Sequence, residues 1–323
     1  ARAPPPRLRC PGPQRRSAGG SCGTRRAALW DAFGGLGGSF GLGDDASKDV
    51  PVTSKQAVEA LYEGFKAATQ NGWKRVEIEM PLGFRFMGLF NETKGDFFDI
   101  LCRVPKELLT KERVAQSELD LARFMAQLLK EIRPATRFIF RTPAAARAAS
   151  AALQHGGDSG KLLSFAAPGG KRRASFAAAA SGDDGLIADL KGQIQADKVS
   201  HVVVVAPRAK QMAAVARLDK EMGDKAALLL LNPGLRLLGR DDPQRQELAG
   251  LFSTGFHLSC VGVPDNEMLF FRRAGGAPHW TLARRALRSD GDGSNALVAE
   301  EVSRYGMDPS LQDVRGALSP AAP

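Results

Sequence analysis

Four short apolar runs in this chain each stop at a proline. They are Val76-Glu77-Ile78-Glu79-Met80-Pro81, Phe138-Ile139-Phe140-Arg141-Thr142-Pro143, Val202-Val203-Val204-Val205-Ala206-Pro207 and Leu228-Leu229-Leu230-Leu231-Asn232-Pro233. Proline has no N–H to give a sheet ladder, and its fixed φ suits the first turn of a helix. Each run therefore reads as a buried strand that ends where a loop or helix begins. Helical patterns separate most of them. Thr53 or Ser54 caps a first helix to about residue 71, with Ala57, Leu61, Phe65 and Ala68 on one face. Further helices are expected over residues 111–132, 144–153, 183–196, 210–223 and 243–251. Strands and helices in this rhythm predict a Rossmann-like α/β fold with a largely parallel sheet flanked by helices.

Past residue 251 the rhythm changes. Residues 256–263, 267–273 and 279–285 are short β-like runs, divided by Pro264-Asp265-Asn266 and by Ala274-Gly275-Gly276-Ala277-Pro278. Those are turn sequences, so an antiparallel meander should finish the sheet. Residues 82–110 read as an irregular insertion over the sheet edge, and residues 155–182 as a loop. Residues 289–323 are polar with little periodicity, except for a helical pattern at 296–305, and read as a loosely attached tail. The single α/β domain is then expected at 44–288.

The ends of the chain differ in character from its middle. Seven arginines against one acid give the first 43 residues about +6 of the formal +10, leaving about +4 for the rest. This arginine-rich, acid-poor segment reads as a transit-peptide-like leader, joined through a glycine-rich linker at 34–43. The mildly basic remainder argues against nucleic acid as a partner. No stretch approaches the roughly 18 to 20 apolar residues that span a bilayer. The four cysteines show no C-x-x-C spacing, which argues against a zinc site or a disulfide framework.

No catalytic signature stands out. His155, His201, His257 and His279 lack metal-ligand spacing, and H-E-x-x-H, G-x-S-x-G and the Walker A lysine motif are absent from the sequence. Neither a metal nor a cofactor is expected. Ligands of open α/β sheets bind beyond the carboxyl ends of the strands, where Glu79, Arg141, Thr142, Arg208 and Asn232 fall. Two arginines beside helix N-termini would suit a phosphorylated small molecule or nucleotide. Equally, Thr142 and Asn232 precede prolines and could serve only as caps. Glu77 and Glu79 share one strand face, as a carboxylate pair or as a solvent-facing edge. Arg272, Arg273, Trp280 and Arg284 form a basic and aromatic cluster on the meander, a candidate surface for a protein partner.

The order of these pieces carries a resemblance. A helix opened by Pro51 precedes Val76-Glu77-Ile78-Glu79-Met80-Pro81. Val204-Val205-Ala206-Pro207, Leu231-Asn232-Pro233-Gly234-Leu235, and Leu269-Phe270-Phe271-Arg272-Arg273 with Trp280 then follow. Over roughly residues 50–286 the chain resembles an uncharacterised domain family of plastids and cyanobacteria. That family includes the low photosystem II accumulation assembly protein and the C-terminal domain of a chloroplast adenylate-kinase-like protein. The resemblance implies a non-catalytic protein of the stroma or peripheral thylakoid. It implies protein binding during photosystem II biogenesis or maintenance, with photosystem core or assembly proteins as partners. Kinase activity belongs to the fusion partner and does not carry over.

Overall fold

A computed structural model describes residues 50–84, 109–153, 162–165, 176–236, 242–263, 266–289, 295–306 and 309–318. All of these lie in one compact unit, Asp45–Pro323. The leader, the linker and most of the 82–110 insertion fall outside the described residues.

Helix α1 (Ser54–Gln70) is set by a capping box. Thr53 Oγ1 accepts from the Gln56 N–H at 3.2 Å, and Gln56 Oε1 accepts in return from the Thr53 N–H at 3.2 Å. Strand β1 (Arg75–Glu79) follows, then α2 (Lys111–Leu128), capped by Thr110. The helix expected to reach 132 stops at 128. Pro134 permits only a 3-10 turn, Lys130–Ala135, before β2 (Thr136–Phe140). Next come α3 (Pro143–Leu153), β3 (Leu162–Ser164), α4 (Phe176–Gln195), β4 (His201–Val205), α5 (Ala209–Met222) and β5 (Ala227–Leu231). The chain continues with α6 (Pro243–Leu251), β6 (Ser253–Val263), β7 (Asn266–Arg273), β8 (Trp280–Ser289), β9 (Asn295–Tyr305) and α7 (Leu311–Leu318).

The strands form one sheet in the order β3-β2-β4-β5-β1-β6-β7-β8-β9. From β3 to β6 every pairing is parallel, and β6 to β9 form the antiparallel meander. This is the expected α/β class. The chain runs from β1 outward to β2 and β3, then returns through β4 and β5 and steps over β1 to β6. Strand order thus reverses between β2 and β4. Ile187, Leu190 and Ile194 of α4, Met212 and Val215 of α5 and Leu248 of α6 pack on Ile139, Val202, Val204, Leu228 and Leu230. On the opposite face α1 lies so close to β6 that a Cβ on Gly64 would collide with the Gly255 carbonyl oxygen.

Several sequence readings need correction. Within 155–182, residues 162–164 form the edge strand β3, too short to show a period, and α4 begins at 176 rather than 183. The expected helix at 296–305 is strand β9, paired with β8 from Trp280↔Tyr305 to Ser289↔Asn295. A register shift between Leu282 and Ala283 leaves Val302 as an extra residue, which breaks the alternation a strand would show. Beyond β9, Val314 of α7 is buried against Met268, Phe270, Trp280 and Leu282. Residues 295–305 and 311–318 are therefore sheet and a packed helix, not a loose tail.

Candidate functional site

The topology brings two of the five strand-end residues together where strand order reverses. Arg141 follows β2 and Arg208 precedes α5, and both reach Glu118 of α2. Glu118 Oε1 accepts from Arg141 at 3.2 Å and from Arg208 at 3.3 Å. Burial pushes the Glu118 carboxyl above the usual range, and the two guanidinium groups oppose that shift. The other residues are occupied with local structure. Thr142 Oγ1 accepts from the Ala145 N–H at 3.2 Å, capping α3. Asn232 sits at φ +48°, a left-handed conformation that asparagine tolerates. Its Oδ1 accepts from the Met80 N–H at 2.8 Å, and its own N–H donates to Ile78 O at 2.7 Å. Glu79 Oε2 accepts from the Gly234 N–H at 2.9 Å. Burial raises the Glu79 carboxyl to about 8, with the neighbouring Glu77 adding to the shift and Gly234, Arg245 and Arg208 opposing it.

Glu77 is neither half of an open carboxylate pair nor solvent-facing. It is 1 % exposed, because β1 lies between β5 and β6. Its Oε1 accepts from Arg236 Nε at 2.6 Å and from Thr254 Oγ1 at 2.8 Å, while Arg236 donates to Phe252 O at 2.9 Å. Arg236 escaped the sequence reading. A single arginine after Asn232-Pro233-Gly234-Leu235 gives no local sign of a partner in β1.

Above this pair opens a cleft of about 470 Å³, within the size range of ligand pockets. Arg236, Thr254, Arg272 and Arg273 line it, with Trp73 and the turn from Ala274 to Pro278 at its walls. Trp73 precedes β1 and Ser253 starts β6, so the cleft lies at the amino ends of the parallel strands, opposite the expected location. Gly276 lets the turn close on Arg273, since a Cβ there would meet Arg273 Cγ at 2.9 Å. Arg236, Arg272 and Arg273 give the cleft a basic lining.

The four meander residues do not share one surface. Arg272 and Arg273 line the cleft, whereas exposed Arg284 lies further along β8, opposite Met268 and Glu300. Trp280, expected on a contact surface, is wholly buried. It stacks on Phe270 with centroids 4.6 Å apart, because its side chain lies on the face that α7 covers. Burial, helped by the Arg236 charge, lowers the neighbouring His257 to about 3, so its imidazole is neutral. Among the described residues no three His, Cys, Asp or Glu side chains gather as a metal site would require.

A model of the family described as a domain of unknown function, DUF1995, matches residues 51–313. The chain belongs to this family. The match takes in the sheet from β1 to β9, the cleft and the first residues of α7. Among curated proteins, none matches the chain. No helix among the described residues is long and apolar enough to cross a membrane.

Proposed function

We propose that this DUF1995 protein is a non-catalytic plastid auxiliary protein that binds an acidic segment of another protein. The observation that carries this reading is the cleft, where Arg236, Arg272 and Arg273 face one concavity. Guanidinium groups recognise carboxylates with well-defined geometry. The strand-end groups support a binding role over a catalytic one. Glu118, Glu79, Thr142 and Asn232 are each engaged in a bond that fixes the fold. The arginine-rich leader and the family resemblance support a plastid setting, in the stroma or at the thylakoid surface, and a role in photosystem II biogenesis or maintenance.

Co-sedimentation with thylakoid membranes tests this reading. The wild-type chain should sediment with the membranes, and Arg272→Glu with Arg273→Glu should release it while the melting temperature holds. Equal sedimentation of both proteins would count against the cleft.

A second reading, a sensor or enzyme that binds a phosphorylated small molecule at the strand ends, is favoured by the convergence of Arg141 and Arg208 on Glu118. It requires nucleotides or sugar phosphates to raise the melting temperature of the wild type and not of Arg141→Ala or Arg208→Ala. No shift in the wild type would remove it.

A further inference from the structure

Beside Arg272 are two buried nitrogens without a hydrogen-bond partner among the described residues, Nε1 of Trp280 and Nδ1 of His257. Trp280 is 0 % exposed and His257 3 %. A buried polar group left unpaired is costly, so two on adjoining rings call for an explanation. Their ring centroids lie 5.0 Å apart, edge to face. Both also adjoin arginines that line the cleft. Arg272 is the cross-strand partner of His257, and its Cζ lies over the Trp280 ring, 5.3 Å from the centroid. Arg236 is near enough for its charge to help keep the His257 ring neutral.

We propose that the cleft continues past the Arg272 side chain into an oxyanion subsite, where Trp280 and His257 receive a carboxylate from an acidic side chain of the partner. The inference rests on the reading of the cleft as the site for an acidic segment. Its chemistry follows from the groups present. The indole N–H can only donate. His257 Nε2 lies 3.1 Å from Ser259 Oγ. When Nε2 accepts the serine hydroxyl, Nδ1 carries the imidazole proton and donates as well. Two neutral donors on adjoining rings suit the two oxygens of a planar carboxylate, and the Arg272 guanidinium beside the indole adds positive charge. A cation would be repelled by the same arginines. Arg272 already covers the indole face, which sets its guanidinium beside the two donors.

The test titrates the full chain with a hexaglutamate peptide and, in parallel, with inorganic phosphate, using calorimetry. Trp280→Phe keeps an aromatic ring against Phe270 and deletes the donor together with part of the ring volume. It should weaken peptide binding about tenfold, the worth of a hydrogen bond to a charged group. The Trp280 indole N–H resonance of the wild type, assigned by eliminating those that Trp30→Phe and Trp73→Phe remove, should shift when peptide is added. That second readout stands even where the variant folds poorly. An unmoved indole signal and unchanged affinity in Trp280→Phe would overturn the subsite. If Arg272→Glu with Arg273→Glu still weakens binding in that case, the cleft reading survives alone. If that variant binds normally too, both readings fall. Phosphate that moves the indole signal as strongly as the peptide would overturn the assignment to a carboxylate side chain.

Discussion

Glu77 and Arg236 form an ion pair at 2.6 Å although 159 positions separate them in the chain. The pair ties the segment after β5 to the middle of β1 and sets the floor of the basic cleft. Its side chains are 1 % and 10 % exposed, so each charge depends on the other. Removing one partner of a buried pair costs about 3 to 5 kcal/mol, whereas replacing both by apolar groups is often neutral. Glu77→Leu should therefore lower stability by about that amount in urea denaturation. Glu77→Leu with Arg236→Met should recover most of it, and a fully additive double variant would contradict the pairing.

The pH dependence of stability has an alkaline limb from Glu79. Its folded carboxyl titrates near 8 rather than at the ordinary 4.5. Between these values the unfolded state has released a proton that the folded state keeps, so folding loses stability as pH rises. The loss is on the order of a few kcal/mol. Glu79→Gln keeps an acceptor for the Gly234 N–H and has no proton to lose. Wild-type stability should fall relative to this variant from about pH 5 to pH 8, and parallel curves would contradict the assignment.

Two histidines contribute to the acid limb. Burial lowers His201 to about 4 and His257 to about 3 from the ordinary 6.5. Below 6.5 the unfolded chain takes protons that the folded chain refuses, so their contribution is lost as pH falls toward those values. His201→Asn should flatten the decline between pH 6.5 and 4 in denaturation curves. An unchanged slope would show that His201 is not the group involved.

Glycine substitutions separate close packing from backbone propensity. Gly64 of α1 faces the backbone of Gly255, where an added Cβ would collide with the carbonyl oxygen. Gly192 of α4 has nothing within 4 Å of an added Cβ. Gly192→Ala should stabilise the protein by about 0.5 to 1 kcal/mol through helix propensity. Gly64→Ala should destabilise it by about 1 to 3 kcal/mol, because a backbone carbonyl cannot step aside as a side chain would. Thermal denaturation of the two variants compares them directly.

These residues also show what was legible in the sequence. Strands β1, β2, β4 and β5 were readable because each is a short apolar run closed by a loop with proline. β3 has three residues and offers no period to count. β9 was hidden by the extra residue at Val302, which throws its alternation out of step. The alternation of Glu77 and Glu79 suggested an exposed face, yet burial there depends on β6 and on Arg236, both far along the chain. Arg272 and Arg273 stood out as a basic pair. That Arg236 joins them in one cleft follows only from the fold, as does the burial of Trp280.

The central claim is that the arginine-lined cleft holds a partner protein. Affinity purification of the full-length protein from solubilised plastids, beside Arg272→Glu with Arg273→Glu, tests it most directly. Photosystem core or assembly proteins should be recovered with the wild type and lost with the charge-reversed variant. Recovery of the same proteins in equal yield by both would contradict the account.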